Sequence, residues 1–154
     1  MKITPKVDDA RFKRKLNQQI REQPRQVQIA LGRTAEFLLG LIRKRTQKGK
    51  DADGNTFKKK YTPEYKEFRR QKGRQVRFPD LNFSGQMLSN MTQKASPKQA
   101  ILFFANKFQN VKAVGNQKKR PFFLIGDREQ KTLINFFGKE LFKQNKLRWV
   151  QEKT

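Results

Sequence analysis

Histidine and cysteine are both missing from this 154-residue chain. Their absence excludes a thiolate or imidazole nucleophile, a histidine general base, a His/Cys metal centre and a disulfide, so any catalysis would have to rest on carboxylates, hydroxyls or lysines. Acids are scarce too: 13 Asp and Glu stand against 37 Lys and Arg, for a formal net charge of +24. No apolar run approaches the roughly 20 residues of a membrane span, and the N-terminus lacks the apolar stretch of a signal peptide. The expectation is a soluble protein, made in the cytoplasm, with no membrane partner. What the chain does have is 14 Phe. Low mean hydropathy argues for disorder, but that many large apolar side chains can fill a small core and offset chain entropy. At this length one domain is expected.

The charge is spread, with one dense stretch. Residues 43–77 hold 14 basic residues against Asp51, Asp53, Glu64 and Glu67, a net of +10, and the other 119 residues carry the remaining +14. A field of this sign attracts polyanions, because each neutralised phosphate releases counterions. A basic face can equally meet an acidic protein or tolerate DNA passing nearby. Zinc-finger spacing, aromatic RNA-binding strands, a GxxG loop and a basic region leading into heptads are all absent.

Along the chain, residues 1–7 read as an extended arm, followed by a helix capped by Asp8 and Asp9 through about Gln23, with Phe12, Leu16 and Ile20 on one face. Pro24 opens or kinks a second helix with a broad apolar stripe: Val27, Leu31, Leu38 and Ile42. Ile29, Phe37 and Leu39 lie off that stripe, which makes Phe37 and Leu39 candidates for contact with another chain. Gly49 to Asn55 is a run of turn-formers. It superficially resembles a calcium loop, but lysines 58–60 stand where further acids are needed. Thr62-Pro63-Glu64 is a helix start, with Thr62 as N-cap. Ser84 is expected to cap a short helix carrying Met87, Leu88 and Met91 inward. The apolar run 100–104 reads as a strand covered on both faces, paired with 91–96 through Ser96-Pro97. Residues 106–120 read as a basic loop, 121–126 as extended, and Asp127 as the cap of a last amphipathic helix with Leu133, Ile134, Phe137 and Leu141 buried. Residues 147–154, with Trp149, read as a tail and a further candidate contact. The fold class is α+β: a long N-terminal helix, a small antiparallel sheet, a C-terminal amphipathic helix and terminal arms around a single domain at 8–146, with basic loops at 49–60 and 106–120.

Four segments, in this order, carry a family likeness: Gly49-Lys-Asp-Ala-Asp-Gly-Asn-Thr-Phe57, Tyr61-Thr-Pro-Glu-Tyr65, Leu81-Asn-Phe-Ser-Gly-Gln-Met-Leu-Ser89 and Arg120-Pro-Phe-Phe-Leu-Ile-Gly-Asp127. With the helices that flank them the likeness covers roughly residues 30–135, and the chain resembles the bacteriophage virion-morphogenesis or tail-completion family. It departs where many members carry Tyr-Ala-x-x-His-x-x-Gly and this chain has Phe103-Phe-Ala-Asn-Lys-Phe-Gln-Asn-Val-Lys. Locally the matched residues read as fold-makers. Gly54 supplies a positive φ, Asp53 an Asx-type cap, Phe57 and Tyr61 anchors; Ser84-Gly85 starts a helix, and Pro121 sets the approach of Phe122 and Phe123 under the last helix. Asp51, Pro63, Tyr65, Leu88, Arg120 and Asp127 complete the matched set.

The resemblance implies a structural neck protein of a tailed phage, assembled in the host cytoplasm into a virion. It would form a ring of six or twelve copies at the head–tail junction, joined to an adaptor and a tail terminator, with DNA passing through the lumen. No enzyme activity and no cofactor are expected. Candidates for contact with DNA or an acidic neighbour are Arg43, Lys44, Arg45, Lys58, Lys59, Lys60, Arg69, Arg70, Arg74, Lys118, Lys119 and Arg120. The alternative is a small nucleic-acid-binding protein whose Tyr61, Tyr65 and Phe68 stack on bases. A Mg²⁺ nuclease built on Asp51, Asp53, Glu64 and Glu67 has little support, because surrounding lysines and arginines compete for those carboxylates.

Overall fold

The computed structural model describes the backbone of residues 10–151, and side chains within that range except those of Phe12 and residues 144–151. The arm at 1–7, the Asp8 and Asp9 caps and the side chain of Trp149 therefore lie outside the described residues. The chain order is α1 (Ala10–Glu22), α2 (Pro24–Gln47), α3 (Pro63–Gln71), α4 (Gln86–Ser89), β1 (Met91–Ala95), β2 (Ala100–Phe104), α5 (Lys107–Lys119) and α6 (Asp127–Gln151). The class is α+β, as expected. No helix among the described residues is long and apolar enough to cross a membrane.

Helix α2 is the axis of the fold. Pro24 stands in its first turn, where a missing N–H costs nothing. Its 24 residues reach about 36 Å at the usual rise, and two separate clusters pack along that length. Near its start Val27 and Ala30 meet Phe137 and Leu141 of α6, with Leu16 and Ile20 of α1 leaning on them. Further on, Ala35, Leu38, Leu39 and Ile42 join Phe57, Leu88, Met91, Leu102, Phe104, Phe122 and Phe123. A helix that serves two clusters must be apolar on more than one side. That is why Leu39 is fully buried and Phe37 stacks on Phe136 with ring centroids 4.5 Å apart. The two α2 residues expected at a subunit contact, Phe37 and Leu39, are thus used within the chain.

The sheet is the two-stranded antiparallel hairpin expected around Ser96-Pro97, registered Met91↔Phe104 to Ala95↔Ala100. The Ser96 hydroxyl accepts from the Lys98 and Gln99 N–H groups and closes the turn. Leu102 and Phe104 are buried, while Phe103 is exposed. The strand is therefore covered on one face, not two: with only β1 beside it, Ile101 and Phe103 have no second layer to meet.

Several expected ends and loops differ. Residues 107–119 form helix α5, not a loop. Asn106 is its N-cap, accepting from Phe108 N and Gln109 N. Only Ala113 is buried, so Phe108, Val111 and Val114 face water and no apolar stripe marks the helix in the sequence. The short helix α4 starts on Gly85 in the left-handed region (φ 79) without a side-chain cap, so Ser84 does not cap it, and Met91 belongs to β1. In the Asp51–Asn55 turn it is Asp51, not Asp53, whose carboxylate accepts from the backbone, at Asp53 N and Asn55 N. Asp127 is the first residue of α6 rather than its cap; Glu129 reaches back to the Gly126 N–H, the N3 half of a capping box. The backbone stays helical to Gln151 where a tail was expected from 147. Thr62, by contrast, caps α3 as expected, accepting from Tyr65 N.

Gly126 is where the first and last family-like segments touch. A Cβ there would lie 2.2 Å from the Ala52 carbonyl oxygen. Gly126→Ala should cost about 1–3 kcal/mol through overpacking against rigid backbone. Gly138, in the middle of α6 with nothing within 4 Å of a Cβ, should instead gain about 0.5–1 kcal/mol on replacement by Ala. Paired denaturation midpoints of the two variants check both signs.

Candidate functional site

The irregular segments on either side of α3 are pulled together by buried arginines. Arg69, on the inner face of α3, is 1 % exposed. Its Nη2 donates to both Asp80 carboxylate oxygens at 3.1 Å, its Nε to the Gln75 carbonyl and its Nη1 to the Tyr61 hydroxyl. That hydroxyl donates in turn to Asp80 Oδ1 at 3.0 Å and accepts from the Asp80 N–H. The guanidinium carbon lies 4.8 Å from the Tyr61 ring centre. Leu81, next to Asp80, takes the left-handed conformation (φ 51), which costs a non-glycine residue about 1–2 kcal/mol. Hydrogen bonds on either side of it, to Asp80 and Asn82, hold it there.

Arg120 approaches the same tyrosine from the other side of the junction. It is 8 % exposed. Its Nε and Nη2 donate to the carbonyls of Lys59 and Lys60 at 2.6 and 2.9 Å, and its guanidinium carbon stands 5.2 Å from the Tyr61 ring centre. No carboxylate lies within ion-pair distance of it among the described residues, unlike Arg69 with Asp80. Burial lowers its pKa, as desolvation penalises the charged form. Desolvation first, and Asp80 second, push the Tyr61 hydroxyl from its ordinary 10.0 up to about 12.

Beside this network runs a groove of about 440 Å³, walled by the Lys59–Thr62 segment, Leu81–Gly85, Met87 and one side of α5. Lys59, Lys60, Lys112, Lys119 and Arg120 line it, with Tyr61, Tyr65 and Phe83 as its aromatic wall. The rings are already engaged with one another and with cations. Tyr65 meets Tyr61 edge-on at 5.0 Å; Phe68 stacks on Phe83 at 5.4 Å; the Arg69 and Arg74 guanidiniums lie 5.9 and 5.8 Å from the Phe83 ring centre.

The basic residues expected to meet DNA or an acidic neighbour divide in two. Arg43, Arg45, Arg69 and Arg120 are internal ties. Arg43 donates to the Leu88 and Met91 carbonyls; Arg45 donates to the Phe122 and Leu124 carbonyls and pairs with Glu129 at 2.7 Å. Arg43 thereby fixes the end of α2 to α4 and the start of β1, and Arg45 fixes it to the segment that follows α5. Lys44, Lys58, Lys59, Lys60, Arg70, Arg74, Lys118 and Lys119 are exposed, and Arg70 pairs with Glu67 one helical turn away. Of the expected set, Lys59, Lys60, Arg69, Lys119 and Arg120 meet at the groove, Arg69 as a buried part of its wall. Lys112 and Asp80 were not anticipated. The sequence signal for Lys112 is its spacing of seven from Lys119, which aligns the two on α5 once that segment is known to be helical. Pro121 is exposed, whereas Phe122 and Phe123 are fully buried, their N–H groups held by Gln117 Oε1.

No family profile, no curated protein and no solved structure matches the chain.

Asp80→Asn removes the carboxylate paired with the buried Arg69 guanidinium and should cost about 3–5 kcal/mol, read as a fall in denaturation midpoint. The tyrosine carries the pH dependence. Between pH 10.0 and about 12 the unfolded chain has released the Tyr61 proton while the folded chain still holds it. Stability from this group is complete below the lower value and is lost as pH rises through the upper one. Base titration followed by tyrosinate absorbance should show a component near 12 that Tyr61→Phe removes.

Proposed function

We propose that this chain is a structural subunit of a tailed-phage neck, forming a ring at the head–tail junction that joins tail to head and surrounds the DNA exit channel. One observation carries the reading. The four family-like segments, scattered over residues 49–127, converge on a single junction. The Ala52 carbonyl packs on Gly126. Arg120 holds the Lys59 and Lys60 carbonyls. Tyr61 bonds Asp80 at the start of the Leu81–Ser89 segment, and Leu88 shares a core with Phe57, Phe122 and Phe123. Four weak matches that arose by chance would have no reason to meet; four parts of one inherited scaffold would.

Mechanism in this reading is geometric and electrostatic. The exposed lysines, repeated around a ring, make a collar that attracts the phosphate backbone without reading sequence. With Phe37 and Leu39 engaged inside the chain, the apolar candidates for subunit contact become Phe108, Val111 and Val114 on α5, Phe142 on α6 and Phe103 on β2, all exposed. The base-stacking alternative has less support, because Tyr61 is buried and the rings of Tyr65, Phe68 and Phe83 already engage each other.

Deleting the gene from the phage genome that carries it should yield filled heads and separate tails that do not join, with joining restored by supplying the chain in trans. Normal infectious particles from the deletion would overturn the assignment.

A further inference from the structure

We propose that the groove beside α5 is a docking site for an acidic peptide segment of a partner protein, with a carboxylate received by Arg120 and the rim lysines Lys59, Lys60, Lys112 and Lys119. The inference stands on the groove alone and holds whether or not the chain sits in a phage neck.

Three features point to such an occupant. The first is an imbalance of charge. Two buried guanidiniums lie by Tyr61, and among the described residues the one carboxylate paired with either, Asp80, serves Arg69. Arg120 is left with two backbone carbonyls, and among the described residues its Nη1 has no hydrogen-bond partner. A buried charge is normally paired, and here an incoming anion would complete the pair. The second is the shape of the site. A carboxylate on the end of a side chain can enter a concavity of about 440 Å³, whereas a phosphate held in a duplex is flanked by sugar and groove walls. The aromatic wall gives a single-stranded base little to stack on, since its rings already meet one another and the arginines.

The third is the mixed character of the α5 surface that borders the groove. Phe108, Lys112 and Lys119 fall at i, i+4 and i+11 on α5, which is one column of the helix surface, and Phe108 is 76 % exposed. Gln109, on the groove wall, has a buried carboxamide oxygen that meets no hydrogen-bond donor among the described residues. A peptide can bring carboxylates for the lysines, an apolar side chain for Phe108 and N–H donors. A phosphodiester backbone brings only the charge.

The test uses the full chain at physiological salt with two fluorescein-labelled probes of equal charge: a Glu-rich peptide containing Leu, and oligodeoxythymidylate. The groove variant is Lys112→Glu/Lys119→Glu. The control is Lys131→Glu/Lys139→Glu, which makes the same charge change at exposed positions of α6. All four sites are exposed, so thermal melts should match the parent. Peptide affinity should fall about tenfold or more in the groove variant, the loss expected for one or two charge-assisted contacts, and by much less in the control. Equal losses in both variants would mean a general field and overturn the proposal. So would a parent chain that does not bind the peptide, or an oligonucleotide that binds more tightly and is the probe lost in the groove variant.

Discussion

Backbone carbonyls that leave regular structure still need donors, and in this chain arginines supply them. The sheet has two strands, and much of the chain between α2 and β1, and between α5 and α6, is irregular. A buried carbonyl without a partner costs free energy comparable to a lost hydrogen bond. Four guanidiniums meet that need. Arg43 takes Leu88 and Met91, Arg45 takes Phe122 and Leu124, Arg69 takes Gln75 and Asn82, and Arg120 takes Lys59 and Lys60. Arg43, Arg45 and Arg120 reach carbonyls 45 to 79 residues away and Arg69 closes a local turn, so together they act as the cross-ties that a larger sheet would otherwise provide.

This use divides the basic residues by type. A guanidinium presents five donors in a rigid plane and stays charged when buried, while an ammonium is a strongly hydrated point charge that resists burial. The internal ties are all arginines, and lysines dominate the outer surface. The set of 37 Lys and Arg is therefore not one population. Some of it is architecture, Arg69 and Arg45 being balanced by Asp80 and Glu129; the exposed majority makes the outward field.

What could be read from the residues alone follows the same division. The Thr62-Pro63 cap, the 91–104 hairpin, the stripe of α2 and the buried face of α6 are legible because their causes are local: a cap spacing, a turn, a period. Helix α5 is not, because Ala113 alone is buried and the apolar residues that remain point to water. Nor is the burial of Arg69, whose partner lies eleven residues on, across an irregular turn. Local pattern gives Arg69 and Arg70 the same surface reading, yet one is sealed in and the other exposed. The matched order of the four segments is visible in one dimension, but their meeting at Tyr61 and Gly126 is a property of three.

The cation at the groove is a consequence of the backbone constraint. A residue of similar volume but no charge at position 120, such as Met, would avoid the desolvation of a guanidinium. It would also strand the Lys59 and Lys60 carbonyls and leave the segment into α3 untied. The junction therefore requires a multiple donor there, and among side chains of that reach a guanidinium supplies the geometry. Arg69 meets the same requirement and is neutralised by Asp80; Arg120 meets it with no carboxylate partner among the described residues. The fold thus holds a positive charge at the edge of an open groove as a by-product of closing its own loops, and the lysines of α5 and of the 58–60 stretch extend that charge outward.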